Sequence, residues 1–235
     1  MSLLLSVSGL SKTFTMHLRG GLALPVISGA SFELMSGRCA VLGGPSGAGK
    51  SSILKMLYGN YAADGGSIRV RHDGEDIDLA TASPRKVIEV RQRTIGYVSQ
   101  FLRVVPRIGA LDIVAEPLVD RGVERSAATE RAAVLLARLN LPERLWRLPP
   151  ATFSGGEQQR VNVARGFITD HPILLLDEPT ASLDAANRAV VVDMIDEKKR
   201  AGTAVLGIFH DAEVRAAVAD TIIDVAGFAP DRRAA

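Results

Sequence analysis

Between Arg38 and Tyr58 a strand, a glycine-rich loop and a helix follow one another, and few folds accommodate the residues that join them: Gly44-Pro45-Ser46-Gly47-Ala48-Gly49-Lys50-Ser51. The apolar run Arg38 to Leu42 reads as a buried strand. Ser51 to Tyr58 puts Ile53, Leu54, Leu57 and Tyr58 on one helical face. In that setting glycines let the backbone wrap a phosphate with its N–H groups turned inward, and the start of the helix adds partial positive charge. Lys50 is then placed to reach the β and γ phosphates, and Ser51 to bind magnesium. The plainer alternative is a glycine-rich strand-to-helix turn, but from average composition the full motif arises by chance in only roughly one chain in a hundred of this length.

The rest of the chain alternates in the manner of a parallel sheet with additions. Leu3 to Val41 shows short strand-like runs broken by Gly and Ser, including Pro25 to Leu34, which predicts a small β region. Gly65 to Leu79, with Asp73-Gly74 inside it, predicts a β-hairpin. Pro84 to Arg93 reads as a helix and Thr94 to Ser99 as a strand. Leu111 to Val119 and Ser126 to Leu139 are helical, with Pro142 closing the run. Then Gly156 to Thr169 (helix), Ile173 to Leu176 (strand), Ser182 to Lys199 (helix) and Ala204 to Phe209 (strand) repeat the βαβ order. The expected class is α/β, with a parallel-sheet core, an antiparallel β region and an α-helical subdomain. As a single domain over residues 1–235, it divides into a core at 1–100 and 160–226, helices at 101–159 and a flexible tail at 227–235.

Ile173 to Leu176 runs into Asp177-Glu178, two carboxylates at the end of a buried strand. Beside a phosphate loop the first suits a magnesium shell and the second suits polarising the attacking water. Alone, such acids are as often helix caps. Lys50 and Asp177 are expected at neighbouring strand ends.

Phe153-Ser154-Gly155-Gly156-Glu157-Gln158-Gln159-Arg160, shortly before the acidic strand, narrows a general P-loop NTPase to one that resembles the ABC ATPases. A Ser-Gly-Gly turn opening a helix is itself an anion site. The resemblance implies that Ser154, Gly155, Gly156, Glu157 and Gln158 face the γ phosphate of ATP held by a second ABC subunit, so that two chains share two sites head to tail. Glu157 stands where many members carry Gln, and Phe153 where they carry Leu. It also implies MgATP as the bound nucleotide, contacted by Gly44 through Ser52, with Ser51, Gln100 and Asp177 around the metal. Glu178, Gln100 and His210 are then the catalytic set, with His210 contacting the γ phosphate, and Ser182 and Asp184 belong to the dimer interface. Phe14 is either an adenine-stacking residue or an ordinary core side chain.

Charge and apolar content bound the partners. A formal net charge of +2 lacks the basic excess of a dedicated nucleic-acid binder. No apolar run approaches the roughly 18 residues that cross a bilayer, so no direct membrane insertion is expected. Met1 to Val7 lacks a basic leader, and no secretory signal is expected. The single Cys39, in an apolar run, is expected to be buried and inert and suits a reducing, cytoplasmic setting.

Val98 to Ile108, Leu141 to Trp146 and Phe153 to Phe167 resemble the PhnL family, ABC proteins of the phosphonate carbon-phosphorus lyase system. That resemblance implies an ATPase accessory to phosphonate catabolism, partnered by the lyase core complex and by a copy of itself or a paralogue such as PhnK. Two other functions stay open: the motor of an ABC membrane transporter, and a nucleic-acid or scaffold ATPase. Phe101 to Ile108 is either a loop packing the helices on the sheet or a docking surface for a partner.

Overall fold

The computed structural model describes residues 2–16, 21–102 and 107–230. Two long antiparallel strands, β1 (Leu3–Met16) and β2 (Leu22–Met35), open the chain. The sequence predicts shorter runs here because glycine usually ends a strand. Gly9 and Gly29 instead sit in left-handed conformations, and the β1–β2 pairing slips between Val7 and Leu10, so the irregularity is absorbed as bulges. Next come β3 (Cys39–Gly43), α1 (Lys50–Leu57), and the hairpin β4 (Gly65–His72) and β5 (Glu75–Asp78). The four antiparallel strands order as β2-β1-β4-β5.

After α2 (Pro84–Arg93) and β6 (Ile95–Val98) the chain enters the helices α3 (Ala110–Val119), α4 (Arg125–Arg138) and α5 (Gly155–Phe167). It returns through β7 (Ile173–Asp177), α6 (Ala185–Arg200), β8 (Ala204–Ile208), α7 (Ala212–Val218) and β9 (Thr221–Asp224). The parallel sheet orders as β6-β7-β8-β3-β9. Neither α7 nor β9 is predicted from sequence. β9 is short and mostly exposed, so it carries no apolar run; its place comes from parallel pairing with β3.

Every residue of β7 and β8 is buried, as expected of strands covered on both faces. Alternation divides them between two cores. Leu174, Leu176 and Val205 pack toward the helices, while Ile173, Leu175 and Leu206 pack with Leu5, Leu10 and Ile27 of the antiparallel sheet. Cys39 joins the first core, and burial pushes its thiol up to about 12.

Two expectations need correction. β8 lies between β3 and β7, so Lys50 and Asp177 do not end neighbouring strands. α1 packs against β7 across the sheet face, which still brings its first turn to the end of that strand. The tail expected at 227–235 also overlaps ordered structure. Val225–Phe228 forms a 3-10 turn, with Val225 buried and Phe228 packed on the core. Residues 231–235 lie outside the described residues.

Candidate functional site

The loop from β3 to α1 is held by its glycines. Gly49 caps α1 at φ 96°, and a Cβ there would lie 2.7 Å from Ile27 Cδ1 and 2.9 Å from Val26 Cγ1. Glycine therefore seats the helix start directly against β2. No side chain caps that end, which leaves the first-turn N–H groups of α1 available to an anion. The Lys50 ammonium folds back over the loop, donating to the carbonyls of Gly44 (2.8 Å) and Pro45 (2.7 Å).

Asp177, at the end of β7, is 2% exposed. Its carboxylate accepts from the Ser51 hydroxyl (3.1 Å) and from the Tyr97 hydroxyl (3.0 Å). Burial raises its pKa above the usual carboxylate range, while the two hydroxyl donors pull it down. A desolvated carboxylate beside a serine hydroxyl is a hard-oxygen pair that suits Mg2+. Sequence reasoning missed Tyr97. Its available signal was a lone phenol in a buried strand, where the hydroxyl needs a partner. In the β6–β7 register Tyr97 pairs with Leu175, two residues short of Asp177, within diagonal reach.

Glu178 follows in a left-handed conformation, φ 56°. Its Oε1 lies 2.6 Å from His210 Nε2, and its Oε2 accepts from Gln100 Nε2 at 3.1 Å. The ends of β6, β7 and β8 thus bring three residues from separate parts of the sequence onto one carboxylate.

A second cluster forms at the start of α5. Ser154 is the N-cap, and Glu157 completes a capping box. The Glu157 carboxylate accepts from the Ser154 N–H and hydroxyl, both at 2.8 Å, which holds it below the usual carboxylate range. The glutamate in the place of glutamine thus caps its own helix. Gln158 Nε2 donates to the Phe153 carbonyl at 3.1 Å, and Phe153 fills the helical core. A Cβ on Gly156 would lie 2.9 Å from the Ser182 carbonyl, so the turn and the 182–184 loop touch within one chain. Asp184 caps α6, accepting from the Asn187 N–H at 2.8 Å, and that bond keeps its pKa low.

Phe14 packs edge-on against Tyr61, 5.3 Å between centroids, with the Lys12 ammonium 5.3 Å from its ring. Ser52 lies on α1, half-buried, in the turn that follows the loop.

The ABC transporter family matches residues 27–181. The lipoprotein-releasing system ATP-binding protein LolD of Maricaulis maris is 40% identical over 193 residues, 81% of this chain and 82% of that protein. An uncharacterized ABC transporter ATP-binding protein of Mycobacterium tuberculosis, Rv0073, is 35% identical over 206 residues, 88% of this chain; the chain spans 61% of that relative's length. Among solved structures, the dimeric bacterial ABC transporter cassette MJ0796 superposes with a TM-score of 0.84 at 24% identity, over 95% of each chain, and so shares the fold. The chain belongs to the ABC transporter family.

Proposed function

We propose that the chain binds and hydrolyses MgATP as one half of a head-to-tail pair and drives an ABC membrane transporter. The observation that carries the hydrolytic reading is the convergence of Gln100 and His210 on the Glu178 carboxylate, next to the Ser51–Asp177 pair. In this reading the loop Gly44 to Ser51 cradles the phosphates and Lys50 turns from its own carbonyls to the β and γ phosphates. Ser51, Asp177 and Gln100 would hold Mg2+, which when bound offsets phosphate charge. Glu178 orients the attacking water and takes its proton, while His210 and Gln100 fix the carboxylate. Ser154, Gly155, Gly156, Glu157 and Gln158 face the second subunit's nucleotide, with Ser182 and Asp184 at the interface, and Phe14 lies beneath the adenine.

The transporter reading is supported by the relatives, one named as an ABC transporter ATP-binding protein and one as a lipoprotein-releasing system ATP-binding protein, and by one surface. A groove of about 730 Å³ runs between α2 and β6 on one side and α3 and α5 on the other. Four arginines line it, Arg91, Arg93, Arg121 and Arg165, against one lining acid, Asp120; Arg93 also pairs with Asp73 and Arg165 with Glu116, which leaves Arg91 and Arg121 as the surplus charge. His171 adds no charge near neutrality, because burial lowers its pKa to about 4. Phe101, 69% exposed, directly follows Gln100. A groove of this charge fits an acidic, amphipathic segment of a membrane subunit. Among the described residues no helix is long and apolar enough to cross a membrane.

The carbon-phosphorus lyase reading keeps only its sequence resemblance, and the relatives lend it no support. Within the segment offered for docking, Arg103, Val104, Val105 and Pro106 lie outside the described residues. The test is co-purification of a tagged Glu178→Gln chain with ATP, against any membrane protein encoded beside it and against the lyase core. Capture of the membrane protein, weakened by Arg93→Glu with Arg121→Glu, supports the transporter reading. Capture of the lyase core alone overturns it.

A further inference from the structure

Gln159 lies on the first turns of α5 with 6% of its surface exposed. A buried primary amide must place its donors or bear their desolvation. Gln159 Nε2 donates to the carbonyls of Glu178 (3.3 Å) and Pro179 (2.9 Å). Those peptides belong to the turn in which Glu178 is left-handed. For a residue with a side chain that conformation is unfavourable and persists only where the surroundings hold it. Within the turn itself, the Glu178 N–H donates to the Ile208 carbonyl and the Ala181 N–H to the Glu178 carbonyl. The amide adds a restraint from a separate element. Three residues on, and on the same helix face, buried Asn162 donates through Nδ2 to the Ser99 carbonyl at 2.5 Å, the peptide that leads into Gln100. One face of α5 therefore grips the main chain of two of the three loops whose side chains meet at Glu178.

We infer that Gln159 is a positioning residue for hydrolysis. Through the carbonyls of Glu178 and Pro179 it holds Glu178 left-handed and keeps the carboxylate between Gln100 and His210. This rests on the catalytic reading of Glu178 proposed above. Because α5 opens at the Ser154 turn, a pull on that turn by the opposite subunit's nucleotide reaches Glu178 through one helical segment.

The test is a double-mutant cycle on ATP turnover. Gln159→Met keeps the length and apolar volume of the side chain and removes both donors. It is expected to lower kcat about tenfold while the KM for ATP stays within about twofold. In the Glu178→Gln background, read by single turnovers, the same change is expected to lower the residual rate by no more than about twofold, because the group it positions is gone. Gln159→Asn, one methylene too short to reach both carbonyls, should give the same pattern if the methionine variant does not fold. Equal losses in both backgrounds, or a KM that rises as kcat falls, assign Gln159 a general structural role and overturn the inference. Unchanged turnover in folded Gln159→Met, beside an inactive Glu178→Gln, overturns it alone. Normal turnover in Glu178→Gln overturns the catalytic reading beneath it as well.

Discussion

Replacing Tyr97 by Phe removes one hydroxyl and leaves the ring against Tyr58, 4.9 Å between centroids. The loss falls on Asp177 Oδ2, which accepts that hydroxyl at 3.0 Å in a site with almost no solvent access. A hydrogen bond to an ionised group contributes about 1.5–3 kcal/mol, and one between neutral groups about 0.5–1.5 kcal/mol. Asp177 keeps its Ser51 donor, so the lower half of the first range, about 1.5–2 kcal/mol, is the expected deficit when the carboxylate is ionised. The sign with pH follows from burial. Asp177 already has a folded-state pKa above its ordinary value of 3.8, so between those two values the folded chain holds a proton that the unfolded chain has released. Stability from this group therefore falls as pH rises through that window. Removing the Tyr97 donor, which lowers the pKa, extends the window upward, and the deficit of Tyr97→Phe grows with pH. Urea unfolding of the metal-free, nucleotide-free protein at about pH 4.5 and about pH 7.5 measures it. The larger loss is expected at the higher pH. Equal losses at both, or a loss below about 0.5 kcal/mol at the higher pH, would refute the claim that this hydroxyl stabilises an ionised Asp177.

Gly49→Ala places a methyl against Val26 and Ile27 at a positive φ, and by strain plus overpacking should destabilise the chain by about 2–4 kcal/mol, read from unfolding midpoints. A loss of only a few tenths would mean that α1 can shift on β2. Lys50→Ala is expected to fold normally and to weaken ATP binding, measured by nucleotide titration; unchanged affinity would remove Lys50 from the phosphate site. Cys39, with its thiol pushed up to about 12 in the core, should resist a thiol reagent in the folded chain and react fully after denaturation. Ready labelling of the native protein would place it at the surface.

The local layout of the candidate site was legible in the sequence because each motif carries its own context. Gly44 to Ser51 sits between an apolar strand and a helix, and Asp177-Glu178 ends a run buried on both faces. The hairpin turned at Asp73-Gly74 and α2 at Pro84 to Arg93 were legible for the same reason, since turn glycines and a proline at the first helical position act locally. Lateral strand order was not legible: placing β8 between β3 and β7 depends on crossovers that no single segment encodes. The Tyr97–Asp177 bond and the grip of Gln159 on the Glu178 turn were hidden for a related reason. Each joins residues far apart in the chain through a polar atom that only the packed structure brings to its partner.

The most direct measurement of the central claim is ATP turnover and association state in purified Glu178→Gln beside the unaltered chain. The amide keeps the shape of the side chain and cannot take the proton of the attacking water, so hydrolysis should fall about a hundredfold or more. Nucleotide should still bind, because Lys50, Ser51 and Asp177 are untouched, and ATP should convert the variant to a stable dimer in sedimentation. Near-normal turnover, or a chain that stays monomeric with ATP bound and hydrolyses it alone, would contradict a paired ATPase built around Glu178.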